Sequence, residues 1–262
     1  MTDYLIIAGQ PNPLDEFRFP WSNGTVDVLK IAGQPNGIDA LKIAGTLSND
    51  EALRVVTENE SETEYKKGLA HDYDDYFGEM ELTNAEVEDR KKTADELEKV
   101  FLFMLALLLL LRQKKIDVPS IVIEQLVIIR FNDAMKKLKI EISLVRKYID
   151  DFVPKVVASS LRNISNPFST TTDRAKSLAE NEANSIHNTL AFQKAVAKGC
   201  QYKIWRTMRD ERVRHTHSEV DNIRIGINDK FVVGDCLMRY PHDTENGTAD
   251  QINNCRCTID YK

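Results

Sequence analysis

The chain has few cysteines, glycines and prolines, and it has no long apolar run. Its 262 residues include 4 cysteines, 11 glycines and 8 prolines, which excludes collagen-like and disulfide-stapled classes. Hydrophobic residues make up 42% and charged residues 29% of the chain, a balance that excludes a wholly disordered chain and is typical of a soluble globular protein. The longest apolar run, residues 100–111, would cover about 18 Å as a helix, short of the roughly 30 Å hydrocarbon core of a bilayer. We therefore expect a buried helix there and no membrane partner.

The N-terminus also lacks the positive region and long apolar core of a secretory signal peptide. We therefore expect a reducing compartment for the four cysteines, which all lie in the last 63 residues: Cys200, Cys236, Cys255 and Cys257. In such a compartment a local group of cysteines favours metal binding over disulfides.

The formal net charge of −6 is unevenly distributed. Residues 1–100 hold 22 acidic and 10 basic residues, whereas residues 101–262 hold 19 acidic and 25 basic residues. An acidic first part and a basic second part predict two different roles, with any contact to a polyanion in the second part.

A repeated hexapeptide marks the first 60 residues. Ile-Ala-Gly-Gln-Pro-Asn occurs at residues 7–12 and again at 31–36, and Ile-Ala-Gly returns at 43–45. Each full copy is a short apolar run ended by glycine and a Pro-Asn turn, without helical periodicity, so we expect an extended or β-rich repeat arm over residues 1–60. The arm is either a packed hairpin or a set of linear motifs that each add a strand to a repetitive partner.

The next stretch, residues 61–170, is predicted to be an acidic connector followed by a helical hairpin or bundle. Thr83 and Glu86 have capping-box spacing, and Pro119 and Pro154 separate apolar helical runs that must pack on one another. From residue 171 a further helix precedes short strands and turns, which predicts a small α+β domain over residues 171–262. The fold class of the whole chain is therefore α+β.

One group of residues in the last domain has the chemistry of a metal site. Thiolates at Cys255 and Cys257 with an imidazole at His217 would suit zinc, and Cys236, His215 or a water molecule could complete a tetrahedron. The alternative is that the cysteines are small buried residues and that His217 only donates a hydrogen bond within the fold.

Two catalytic interpretations are weaker. A cysteine nucleophile with His217 as its base lacks a recognisable oxyanion motif. A metal-dependent nuclease could use His215, His217, Asp210 and Asp221, but the spacing does not single out that set. We therefore expect no catalytic activity and no small-molecule substrate.

A basic cluster with interleaved aromatic residues is the strongest sequence candidate for binding DNA. The alternative is a solvated face with internal ion pairs, such as Asp210 with Arg212 or Arg214. The six candidate DNA-binding residues are Lys198, Lys203, Arg206, Arg209, Arg212 and Arg214.

These residues, in order, resemble a known family. The pattern consists of Trp205, residues 210–214, His217, Phe231, Tyr240, Pro241 and the tetrapeptide Asn254, Cys255, Arg256 and Cys257. It resembles the C-terminal domain of the phage Mu F-like minor head proteins, also called head morphogenesis or portal-associated minor capsid proteins, over residues 171–262. The chain departs from the family at 180–182, where Glu-Asn-Glu replaces Arg-Thr-Glu, and at 220–222, where Val-Asp-Asn replaces Leu-Asp-Gly. His215 and Cys236 are additional.

The resemblance implies a structural framework. Trp205, Phe231, Tyr240 and Pro241 are expected in the core of the small domain. Asp210 is expected in an internal ion pair, and Asn254 belongs to the motif.

The resemblance also implies a function. The protein would be a minor capsid protein of a tailed phage, assembled in the host cytoplasm and located in the capsid interior of the virion near the portal. Its expected partners are the portal protein or the major capsid protein and packaged double-stranded DNA, with which it would be ejected. Two alternatives stay open: a nuclease or toxin-type effector delivered to the host, and an assembly adaptor absent from the mature virion.

Overall fold

Helices account for most of the chain up to residue 197, and short strands follow. The computed structural model describes residues 31–62, 73–78, 80 and 82–262. Its longer helices are α1 (Gly37–Thr46), α2 (Asn49–Glu62), α4 (Asn84–Gln113), α5 (Ser120–Lys137), α6 (Ile142–Arg162) and α7 (Thr172–Ala197). Shorter helices are α3 (Tyr73–Phe77), a 3₁₀ turn (Pro167–Thr170), α8 (His215–Ser218) and α9 (Ala249–Ile252). The strands are β1 (Tyr202–Arg206), β2 (Arg224–Gly226), β3 (Phe231–Val233), β4 (Cys236–Met238) and β5 (Thr258–Tyr261).

The central helix is α4, which packs against α2, α5 and α7. It begins at the predicted capping box, in which the Glu86 backbone N–H donates to Thr83 Oγ1 at 3.3 Å and the Thr83 N–H donates to Glu86 Oε2 at 2.9 Å. The predicted apolar run lies inside this helix and is buried almost throughout. Within the described part of the chain, every helix is too short or too polar to cross a bilayer.

Aromatic rings join three helices of the bundle. Phe101 of α4, Phe131 of α5 and Phe152 of α6 meet edge to face, with centroid distances of 5.7 to 6.1 Å, and Tyr148 stacks on Phe152 at 5.7 Å. Such ring contacts stabilise the fold by more than the buried apolar area of the rings alone. We call the described residues from 31 to 197 the helical segment; the predicted bundle is part of it.

The prediction of an extended N-terminal arm is wrong for residues 31–60, because α1 and α2 occupy most of that stretch. The second hexapeptide ends in a turn in which Asn36 has a left-handed φ of 54°. A Cβ on Gly37 would lie 1.8 Å from the Ile31 carbonyl oxygen, so glycine is required where α1 begins. Residues 1–30, with the first copy of the repeat, lie outside the described residues, as does much of the acidic connector.

The last 63 residues, 200–262, form what we call the C-terminal unit. One sheet is antiparallel in the order β2-β1-β5, with Trp205 opposite Ile259, and β3 pairs with β4 in a hairpin. Trp205, Phe231, Tyr240 and Pro241 are all buried. The chain therefore combines a large helical part with small antiparallel sheets, as the α+β class predicts, while the domain boundaries placed at residues 60 and 170 stay predictions.

Candidate metal centre and its surroundings

Three buried side chains of the C-terminal unit bring soft ligand atoms together. His217 lies on the single turn α8, and Cys255 and Cys257 lie in the loop between α9 and β5. His217 Nδ1 is 3.4 Å from Cys257 Sγ and 3.5 Å from Cys255 Sγ, and all three ligand atoms lie within 4.8 Å of one another. We call these three residues the metal group, since their geometry could hold a metal ion.

The two thiols of the metal group differ in their pKa values. Burial would raise the pKa of Cys255, but hydrogen bonds from Cys257, His217 and His242 outweigh burial and hold this pKa well below its usual value. The pKa of Cys257 is raised by its hydrogen bond to Cys255, by burial and by the charge of that thiolate. A cation bound between the two sulfur atoms would favour the deprotonated form of both thiols.

The backbone of the cysteine loop is held by polar groups from outside it. The Cys255 carbonyl oxygen accepts hydrogen bonds from Tyr76 Oη at 3.1 Å, Asn184 Nδ2 at 3.1 Å and His242 Nε2 at 2.5 Å. The Asn254 N–H donates to Asn181 Oδ1 at 2.8 Å. Because Tyr76 and the two α7 asparagines belong to the helical segment, these bonds join the two parts of the molecule.

Sequence reasoning did not identify this role for α7. Asn181, Asn184 and Asn188 are spaced by three and four residues, which places their side chains on one face of the helix. All three are buried, and a buried amide requires partners. A polar stripe on a helix that is otherwise rich in alanine is the signal that could have revealed it.

Two residues predicted as possible further ligands lie elsewhere. Cys236 is in β4, where its Sγ lies 3.2 Å from Thr248 Oγ1, and it does not belong to the metal group. His215 is exposed, with Nδ1 3.4 Å from a Glu219 carboxylate oxygen. The structure therefore brings together three of the four residues predicted as ligands, and Cys236 is not among them.

The basic cluster predicted for DNA binding is used largely within the fold. Lys203 is fully buried, with its ammonium 5.1 Å from the Phe192 ring centroid and 5.6 Å from that of Phe231. Burial lowers the pKa of Lys203 to about 8. The prediction that Lys203 contacts DNA is therefore wrong, because its ammonium cannot reach a phosphate.

The arginines of that cluster mostly contact polar groups nearby. Arg206 Nε lies 2.8 Å from an Asp260 carboxylate oxygen, and Arg209 Nε lies 2.9 Å from Asp221. The remaining contacts are Arg212 with Asp210 at 3.7 Å and Arg214 with the Asn253 carbonyl, while Lys198 is an exposed residue at the end of α7. The internal pairing that we considered as the alternative thus describes most of these residues.

Asp210 has a stronger partner than those the sequence suggested. Arg256, which stands between the two cysteines of the metal group, donates to both Asp210 carboxylate oxygens at 2.9 and 2.6 Å. Arg256 is 7% exposed, so this two-pronged pair fixes the loop against the turn that carries Asp210.

Comparison with known proteins assigns this region. The family model described as Phage Mu protein F like protein matches residues 147–260. No curated protein matches the chain, and no solved structure does.

The match includes most of α6, all of α7, the metal group and nearly all of β5, and it begins earlier than the resemblance read from the motifs. Residues 1–146 lie outside it. The order of residues around Trp205, His217 and the Cys-Arg-Cys loop agrees with this result. Residues 147–260 of this chain belong to the Phage Mu protein F-like family.

Proposed function

We propose that this protein is a minor head protein of a tailed phage, active in head morphogenesis and located in the capsid interior near the portal. The observation that carries the proposal is the family membership of residues 147–260. The proposed partners are the portal protein or the major capsid protein, together with packaged double-stranded DNA, and the protein would leave the head with the genome. The part of the helical segment before residue 147 provides a second module for docking on a protein partner.

Quantitative mass spectrometry of purified particles tests this location. Full heads and ghosts emptied by triggered ejection are compared, with the major capsid protein as the internal reference. We expect the protein in full heads at low copy number and its loss from ghosts. Retention in ghosts would contradict ejection with the genome, and absence from full heads would contradict the virion location and favour an assembly adaptor.

We also propose that the metal group holds zinc. Two thiolates and an imidazole are donors that bind zinc in preference to harder cations. Zinc bonds of about 2.0–2.1 Å to nitrogen and 2.3 Å to sulfur in a tetrahedron place the two ligand atoms roughly 3.5–3.6 Å apart, close to the separations of 3.4 and 3.5 Å in the metal group. The adjoining cavity of about 10 Å³ has room for about one water molecule as a fourth ligand.

Metal content provides the direct test of this site. We expect about one zinc per chain in wild-type protein by inductively coupled plasma mass spectrometry, and none in Cys255→Ser. Cys236→Ser is the matched control, because Cys236 is also buried but lies outside the metal group. Equal zinc content in wild-type protein and in Cys255→Ser would contradict the site.

The protein is further proposed to have no catalytic activity of its own. All three ligand residues are buried, and the cavity of about 10 Å³ beside them is too small for a nucleotide. The rival is a metal-dependent nuclease. Incubation of plasmid DNA with the protein and divalent cations should leave the plasmid intact; cleavage that disappears in His217→Ala would establish the rival.

A further inference from the structure

A cleft separates the helical segment from the loops of the C-terminal unit. It lies between α6, the first half of α7 and the loops around residues 212–214 and 244–256, and it has a volume of about 750 Å³. It is therefore far larger than the cavity of about 10 Å³ beside the metal group. A cleft of this volume has room for a polyatomic ion.

We call this cleft the arginine cleft. Most of the charged side chains that line it are basic. Its carboxyl groups belong to Glu180 and Glu182. Burial raises the pKa of Glu182 well above its usual value, which favours its uncharged form, and its oxygens accept hydrogen bonds from the Tyr148 hydroxyl and the Asn181 amide. The positive side chains that line the cleft are Lys155, Arg162, Arg174, Arg212, Arg214 and Arg256.

These cations differ in how far they are already neutralised. Arg256 is bound to Asp210 through two hydrogen bonds. Arg162 and Arg174, by contrast, have no carboxylate partner in the described ranges 31–62, 73–78, 80 and 82–262. Arg174 is partly buried, and burial lowers its pKa with no carboxylate opposing that effect. A partly desolvated cation without a counter-ion is unfavourable, and a bound anion would relieve this.

The placement of arginines from three elements around one cleft favours an anion that can accept hydrogen bonds from more than one guanidinium group. Arg162 is at the end of α6, Arg174 is in the first turn of α7, and Arg214 comes from the loop before α8. Phosphate presents oxygens in several directions, and a planar guanidinium donates to two of them together.

We propose that the arginine cleft binds phosphate groups through Arg162, Arg174 and Arg214. This inference rests on the proposed function for its main source of phosphate, the backbone of packaged DNA; free inorganic phosphate is the other source of the same chemistry. The cleft includes Arg212 and Arg214 of the basic cluster predicted from the sequence. Lys203, Arg206 and Arg209 of that cluster are instead engaged within the C-terminal unit.

The first arm of the test measures binding of a short labelled DNA duplex to the full-length protein by fluorescence anisotropy over a range of salt concentrations. We expect the double variant Arg162→Gln/Arg174→Gln to bind about tenfold or more weakly. Its log–log salt dependence should be shallower by roughly 1.8, at about 0.9 for each phosphate contact removed. Arg146→Gln is the matched control, an exposed arginine of α6 outside the cleft, and its affinity should stay within about twofold of wild type.

The second arm uses inorganic phosphate, which should raise the melting temperature of the wild-type protein but not that of the double variant. Circular dichroism of both proteins without phosphate establishes that the double variant is folded. Binding of both probes through the two arginines supports DNA as the source, and a response to phosphate alone assigns the cleft to free phosphate. Duplex affinity, salt dependence and phosphate stabilisation that all match wild type would overturn the proposal.

Particle composition separates this inference from the proposed function. If the double variant is incorporated into heads at the wild-type level but no longer binds DNA in solution, the cleft and the head location are both supported. If wild-type protein binds the duplex through the cleft but is absent from heads, the proposed location fails and the phosphate site stands.

Discussion

The helical segment and the C-terminal unit are stabilised by different means. Buried apolar residues form one continuous cluster from Ile31 to Leu190 in the helical segment. The cluster of the C-terminal unit has eight buried residues, and two of them are the thiols Cys255 and Cys257. Because a core of that size stabilises a small unit only weakly, we expect the C-terminal unit to depend on the metal group and on its polar bonds to α7. The first part should respond to the loss of apolar volume and the second to the loss of specific ligands.

The largest effect is expected from Cys255→Ser, which removes one of the three residues of the metal group. Zinc binding contributes about 10–16 kcal/mol of apparent free energy in zinc-finger-sized units, so losing a ligand should unfold the C-terminal unit. Hydrogen exchange followed by mass spectrometry should show lost protection in β1 and β5, while α4 stays protected. Cys236→Ser should keep wild-type protection in all three elements. Unchanged protection of β1 in Cys255→Ser and after chelation would show that the stability of the C-terminal unit does not depend on a metal.

The next effect belongs to the helical segment. Phe131→Ala removes a fully buried ring that contacts Phe101 and Phe152, and we expect a loss of about 3–5 kcal/mol in the free energy of unfolding measured with urea. Zinc content should not change, since the ring packs within the helical segment and is not part of the metal group. Phe168→Ala, at a ring that is 41% exposed, should cost less than about 1 kcal/mol. Similar losses from both variants would argue against the close-packed core.

A smaller effect is expected where the two parts meet. Asn184→Ala removes a donor to the Cys255 carbonyl and a partner of Arg90, to which Asn184 Oδ1 is bound at 3.1 Å. Leaving a buried arginine without that acceptor should cost about 1–3 kcal/mol, measured by urea unfolding. Asn163→Ala is the control, because its amide bonds only within its own helix end. Equal stability of the two variants would show that the joint contributes little.

A pH-dependent effect is expected within the helical segment, and it is absent at neutral pH. Burial and the nearby charge of Arg90 lower the pKa of His187 to about 3, from its usual 6.5. The unfolded chain takes up this proton first as the pH falls. The contribution to stability is therefore complete above about pH 6.5 and is lost toward pH 3, by at most about 1.4 kcal/mol per pH unit.

The difference in unfolding free energy between wild type and His187→Gln isolates the contribution of His187, because the other titrating groups are common to both proteins. We expect that difference to shrink as the pH falls from 6.5 toward 3. A difference independent of pH across this range would contradict the buried, uncharged state of His187.

Local signals in the sequence predicted the bundle well and the N-terminal region poorly. The capping box at Thr83 and the apolar run after it are short-range features whose structure follows from helix chemistry alone. At the second hexapeptide the Pro-Asn turn was identified correctly, but Gly37 and Leu41 continue into α1 rather than into a strand. Packing against the rest of the bundle decides that outcome, and no local pattern reports it.

Spacing in the sequence predicts only part of the metal group. Cys255 and Cys257 are neighbours in the sequence, and His217 was found through its chemistry. Cys236 was assigned to the same set because the position of the β3–β4 hairpin relative to the loop cannot be read from spacing. Lys203 was misplaced because β1 buries three consecutive residues, so alternation along the strand does not identify its inward-facing side chains.

Arg256 connects the metal group with the arginine cleft. It lies between the ligands Cys255 and Cys257, and its guanidinium lines the arginine cleft while it is bound to Asp210. Because one short stretch of backbone serves both sites, we expect occupancy of either site to change the free energy of binding at the other, and such coupling is reciprocal. We therefore expect a phosphate group in the cleft to change the affinity for the metal by the same factor by which the metal changes the affinity for phosphate.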